Sequence, residues 1–156
     1  MNDTPSSRRR PDEYPRRVLL TVAGMTPQII TETLYALAIG QTPRFVPTHI
    51  VVLTTTDGAQ QARLSLLGEN PGWFHRLCRD YDLQGISFAD QDVRVLRDVE
   101  GRDMSDIRSA SENGAAADGI LDAIRELTAD ADCALHVSLA GGRKTMGFFA
   151  AYGLSL

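Results

Sequence analysis

Two periods of apolar residues take turns along this chain. The run Arg17-Val18-Leu19-Leu20-Thr21-Val22-Ala23 is apolar almost without a break, as a strand covered on both faces would be. Beyond Gly24-Met25, Thr26 and Pro27 form a helix-start signal, and Ile29, Ile30, Thr33, Leu34, Leu37 and Ala38 recur at helical spacing. A second continuous run, His49 to Thr54, predicts another buried strand, after which Thr54-Thr55-Thr56-Asp57 caps a helix to about Leu67. Asn70-Pro71 predicts the start of a further helix through Tyr81, and Ile86-Ser87-Phe88 and Val93 to Leu96 read as short strands. Ile120, Leu121, Ile124 and Leu127 mark a helix over Ala115–Leu127. Cys133 to Leu139 alternates like a strand, and Met146 to Leu156 reads as a buried helix. Buried strands separated by amphipathic helices predict an α/β fold: a Rossmann-like, mainly parallel sheet with helices on both faces.

Two strand ends carry the candidate chemistry. Gly24-Met25-Thr26-Pro27-Gln28 and Ala140-Gly141-Gly142-Arg143-Lys144-Thr145-Met146 both read as glycine turns that enter a helix. Such turns bring backbone close to a ligand, and the free amides of the following helix favour an anion. Lys144 would add a point charge and Thr145 a hydroxyl to the same anion. Lys144 is the only lysine among 16 Lys+Arg. The second loop is not a Walker loop, because its glycines are adjacent and Arg143 separates them from the lysine. The first lacks the dinucleotide fingerprint, which weighs against a mononucleotide or dinucleotide enzyme. If the two strands are neighbours, the loops form a single anion site. Thr55, at the end of the second strand, could meet a ribose.

Composition narrows the picture. A chain of 156 residues with 43% hydrophobic content holds one domain, expected over 17–156 and preceded by a disordered tail over 1–16, rich in Pro, Ser and Arg. A formal charge of −4 provides no general field for duplex DNA. Cys78 and Cys133 fit no metal spacing, and His75 with Cys78 supplies too few ligands for zinc, so no metal and no cofactor is expected. The opening residues lack a signal-peptide core and no run is long enough to span a membrane, which predicts a cytoplasmic protein. The last apolar run, with Phe148, Phe149, Tyr152 and Leu154, has no C-cap and no charge after Lys144. It reads as a chain that continues further, or as an end covered by a partner.

Together these loops resemble the two ligand loops of the CRISPR-associated Rossmann-fold (CARF) domain, over roughly Arg17 to Leu156. Gly141-Gly142-Arg143-Lys144-Thr145-Met146 is the most specific part. Asp106-Ile107-Arg108, Glu112-Asn113 and Ala116-Ala117-Asp118 are similar to one CARF subfamily known only as CRISPR-associated. Surface salt bridging otherwise accounts for the acids and arginines of that segment. The resemblance implies a homodimer that binds a cyclic oligoadenylate across its two-fold axis. It implies that Lys144 and the Gly141-Gly142 amides hold phosphates and that Thr26 and Gln28 contact ribose or phosphate, with Gly24, Met25, Ala140, Thr145 and Met146 completing the loops. Arg143 and Lys144 from two copies would match the four charges of a tetra-adenylate ring. On this reading the protein is a metal-independent ring nuclease in which Thr26, Arg143 and Lys144 orient the sugar and neutralise the phosphorane. The alternative is a non-catalytic sensor module whose effector portion lies outside this chain.

Overall fold

The computed structural model describes residues 9–155. Four parallel strands form one sheet in the order β3-β2-β1-β4, with β1 Arg16–Val22, β2 His49–Thr54, β3 Val93–Val95 and β4 Cys133–Ser138. Alternate residues of the central strands feed two separate cores. Leu19, Ile50 and Val52 point to one face and Val18, Leu20, Val22, Val51 and Leu53 to the other. That is why these strands are apolar without alternation. Burying each such side chain contributes about 1.5–3 kcal/mol.

Helices cover both faces. On the first lie α1 (Gln28–Ala38), α2 (Thr56–Ala62) and α3 (Trp73–Asp80), and on the second α4 (Ala110–Thr128) and α5 (Lys144–Gly153). The parallel Rossmann-like sheet is as expected.

Several local expectations are corrected. Thr26 does not cap α1. Pro27 already has helical angles (φ −69, ψ −12) and its carbonyl accepts the Ile30 N–H at 3.0 Å, so the first turn closes on backbone. Within the expected capping run it is Thr55 that caps α2, its hydroxyl accepting the Gly58 N–H at 3.4 Å, and a π-helical turn, Arg63–Leu67, carries the helix to its expected end. The third helix begins after Gly72, whose left-handed φ of 57 redirects the chain, rather than at Asn70-Pro71. Residues Ile86 to Phe88 form no strand. Ser87 meets β2 at one bridge, to His49, before Asp92 folds the chain into a turn by accepting the Ala89 N–H at 2.8 Å.

The fourth helix starts five residues earlier than its apolar stripe suggests, because Ser109 and Glu112 form a reciprocal capping box. The last helix is not a buried one. Met146 and Ala150 face the core, whereas Phe148 and Tyr152 are 66% and 52% exposed. Residues 1–8 of the expected tail lie outside the described residues. From Arg9 the chain is built onto the domain, with Arg9 paired to Asp132 at 3.0 Å, a short helical turn at Pro11–Glu13, and Tyr14 packed on the first core. Among the described residues no helix is long and apolar enough to cross a membrane.

Candidate functional site

Because β1 and β4 are hydrogen-bonded neighbours, with Thr21 opposite Ser138, their two loops leave the sheet at the same level. The chain leaves β1 toward one face and β4 toward the other. This is the switch point of the topology, where parallel sheets open a crevice at the carboxyl ends of their strands. The loops pack against each other: a methyl on Gly24 would lie 3.6 Å from Gly142 Cα, and one on Gly141 only 2.5 Å from the Val22 carbonyl oxygen. Only glycine fits at 141. Gly142, with φ +76, takes the left-handed turn that aims the chain into α5. Ser138 anchors the arrangement, accepting the Ala140 N–H at 3.4 Å while its hydroxyl meets Thr33 of α1 at 3.4 Å.

The result is a cleft of about 660 Å³. Its lining brings together Gly24, Met25, Thr26 and Gln28 from the first loop, Ala140, Gly141, Gly142, Arg143 and Met146 from the second, and Thr55 at the start of α2. Lys144 and Thr145 fall outside it, in an adjoining, more open depression shared with Arg108, Asn113 and Arg143. The Thr55 hydroxyl is already engaged as a cap.

Among the described residues no side chain caps α1 or α5. The first amides of both helices are thus left for a ligand or water: those of α1 belong to Gln28 and Ile29 of the cleft, and those of α5 to Lys144 and Thr145 of the adjoining depression.

Asp106 and Arg108 complete the wall of the cleft, and neither was assigned a role from sequence. One Asp106 oxygen accepts from Arg143 Nη2 at 2.6 Å, Arg143 Nε at 3.2 Å and the Ile107 amide at 2.8 Å, and the other accepts from Arg108 Nε at 3.0 Å. Hydrogen bonds from Arg108 and then Arg143 hold its carboxyl well below the usual carboxylate range. A single ionised aspartate thus fixes two guanidiniums at the mouth of the cleft. Arg143 Nη1 and both Arg108 terminal nitrogens make no hydrogen bond to a described residue. The charge balance differs from the one expected from Arg143 and Lys144 alone: Asp106 cancels one arginine and Arg108 restores it. Glu32 and Asp57 line the same cleft, and no histidine does. Among the described residues no group of three His, Cys, Asp or Glu side chains is arranged to hold a metal.

A family model, that of CRISPR-associated protein NE0113, matches residues 26–156. The chain belongs to the CRISPR-associated protein NE0113 family. The match begins at Thr26 and takes in all of the second loop, so most of the cleft of this NE0113 family member lies within it. No curated protein compared with the chain matches it.

The sequence did carry one overlooked signal for the arginine clamp. The box Ser109-x-x-Glu112 announces a helix start at Ala110, which holds Asp106 and Arg108 in the loop just before it and within reach of Arg143.

Proposed function

We propose that the cleft binds a cyclic oligoadenylate, the second messenger of type III CRISPR defence, with the tetramer favoured, and cleaves it as a slow ring nuclease. The observation that carries this reading is the grouping of two uncapped helix starts and two aspartate-held arginines around one crevice and the depression beside it in a CRISPR-associated protein. Membership of a CRISPR-associated family and the CARF-like loops point the same way. Backbone amides and guanidinium forks both suit phosphate oxygens.

Cleavage requires that a ribose 2′-oxygen attack the adjacent phosphorus while the bond from phosphorus to the 5′-oxygen breaks. The 2′-hydroxyl proton passes to water, and the departing 5′-oxygen takes one up. The products are linear fragments ending in a 2′,3′-cyclic phosphate. Amides of the Gly141-Gly142 turn, with Arg143 and Lys144, stabilise the charge that grows on the phosphorus oxygens, and Thr26 orients the sugar. Without an imidazole in the cleft the rate rests on positioning, so turnover is modest.

A two-fold pair of chains suits a ring that repeats its own unit. Per chain, Arg143, Arg108 and Lys144 are offset by Asp106, Glu32 and Asp57, so phosphate recognition falls to local guanidinium forks and open helix-start amides rather than to a net positive charge. The exposed Phe148 and Tyr152 of α5, stacked at 6.5 Å, offer apolar surface for such pairing.

A second reading, binding without turnover, is favoured by the Asp106 clamp, which occupies the Nε–Nη2 edge of Arg143. Incubating the protein with labelled cyclic tetra-adenylate and hexa-adenylate in excess chelator separates the two. Ring nuclease activity predicts cyclic-phosphate-ended fragments with the tetramer consumed first and two chains per ring in sedimentation. Bound but intact ring after prolonged incubation would leave the sensor reading.

A further inference from the structure

A groove of about 340 Å³ between α1 and α3 adjoins the cleft and shares Gln28 and Glu32 with it. Its chemistry is unlike that of the cleft. The opposite wall is Trp73, 46% exposed and the only tryptophan of the chain, with the Arg76 guanidinium carbon 5.0 Å above its ring centroid. The remaining charged groups are Glu32 and Asp80, which accept hydrogen bonds and repel phosphate. Flat π surfaces beside carboxylates and an amide suit a nucleobase that carries an exocyclic amine.

Adenine fits this set of groups. An indole or a guanidinium plane stacks on its ring, an amide such as Gln28 pairs with both the donor and the acceptor of its N6/N7 edge, and a carboxylate accepts from the amine. Uracil, with carbonyls where adenine has its amine, would turn acceptors toward Glu32 and Asp80. The spacing is suitable as well: Glu32 lies one turn, about 6 Å, beyond Gln28 along α1. A nucleotide with its phosphate at the start of that helix can therefore lay its base in the groove.

We propose that this groove is the base subsite of the ligand, taking an adenine against Trp73 and Arg76 with Gln28 and Glu32 reading its amino edge. The inference rests on the reading of the cleft as an oligoadenylate site. Because Trp73 is the only tryptophan, its fluorescence reports the subsite directly. Cyclic tetra-adenylate is titrated into the protein while heat and tryptophan emission are followed together, and the heat measurement is repeated on Trp73→Ala and Trp73→Phe. The expected result is saturable quenching with the same midpoint as the heat. Trp73→Ala should bind about fivefold to a hundredfold more weakly, and Trp73→Phe should lose much less. Trp73 is exposed, so both variants should keep the circular dichroism of the parent. Heat of binding with unchanged emission and an unchanged affinity in Trp73→Ala would overturn the subsite and leave the phosphate cleft standing. Absence of heat with the parent protein would overturn both.

Discussion

Helices α4 and α5 pack against each other on one face of the sheet, yet their first turns are finished in opposite ways. The start of α4 is closed by its own side chains: Ser109 accepts the Glu112 N–H at 3.1 Å, and Glu112 accepts the amides of Ser109 at 2.8 Å and Arg108 at 2.7 Å. The start of α5 has Arg143 in the capping position, a residue with five donors and no acceptor, and no side-chain cap. A cap such as Ser or Asp there would contribute about 1 kcal/mol, so the second arrangement leaves stability unclaimed. The helix left open is the one that ends at the crevice, beside the equally open α1. Helix α3 also lacks a side-chain cap, but Gly72 precedes it and its Trp73 lines the adjoining groove. What the contrast teaches is that the chain satisfies its own amides at the start of α4 and leaves them open where the two glycine loops meet, as the proposed anion site requires.

The comparison is broken most severely at Gly141. A methyl there meets the Val22 carbonyl oxygen at 2.5 Å, so Gly141→Ala must push the second loop off β1. We expect a loss of about 1–3 kcal/mol in denaturant unfolding and loss of ring binding by calorimetry. Gly114, inside α4 with open space around it, is the control. Gly114→Ala should leave binding intact and raise stability by about 0.5–1 kcal/mol.

A smaller effect is expected at the capped start. Ser109→Ala should cost about 1 kcal/mol of stability in the same unfolding measurement and change ring affinity less than twofold. The same cap has a pH signature. Backbone hydrogen bonds from Arg108 and Ser109 lower the Glu112 carboxyl below its ordinary value. A carboxylate lowered on folding stabilises the protein above its unfolded pKa of about 4.3, and that contribution fades as pH falls through the folded value. Glu112→Gln should therefore flatten the acid limb of the stability curve.

Much of this was legible in the chain. Continuous runs such as Val18 to Val22 fixed the central strands, because burial on both faces leaves Thr21 as the one polar position of that run. The glycine pair at 141 and 142 marked the crevice, since few other patterns permit so close an approach of backbone to β1. Boundaries set by backbone chemistry were harder to read. Pro27 closed the turn that Thr26 was expected to cap, and a three-residue β3 stood where two strands were expected. Asp106 was hard to read as a site residue because its partner Arg143 lies 37 positions away, and its loop is held at the cleft by burial of Met104 and Ile107 in the second core as well as by the α4 capping box. The exposure of Phe148 and Tyr152 was hidden by an α5 sequence that is apolar all round.

Arg143→Ser provides the most direct measurement of whether the open start of α5 is held for an anion. Residue 143 already has the extended angles of a capping residue (φ −73, ψ 150), so a serine there can close the first turn without moving the backbone. Cyclic tetra-adenylate is titrated into the parent and the variant by calorimetry, and both are unfolded in denaturant. The account predicts stability within about 1 kcal/mol of the parent, the new cap offsetting the lost exposed Arg143–Asp106 pair, and ring affinity at least tenfold lower. A variant that binds the ring as tightly as the parent would contradict it.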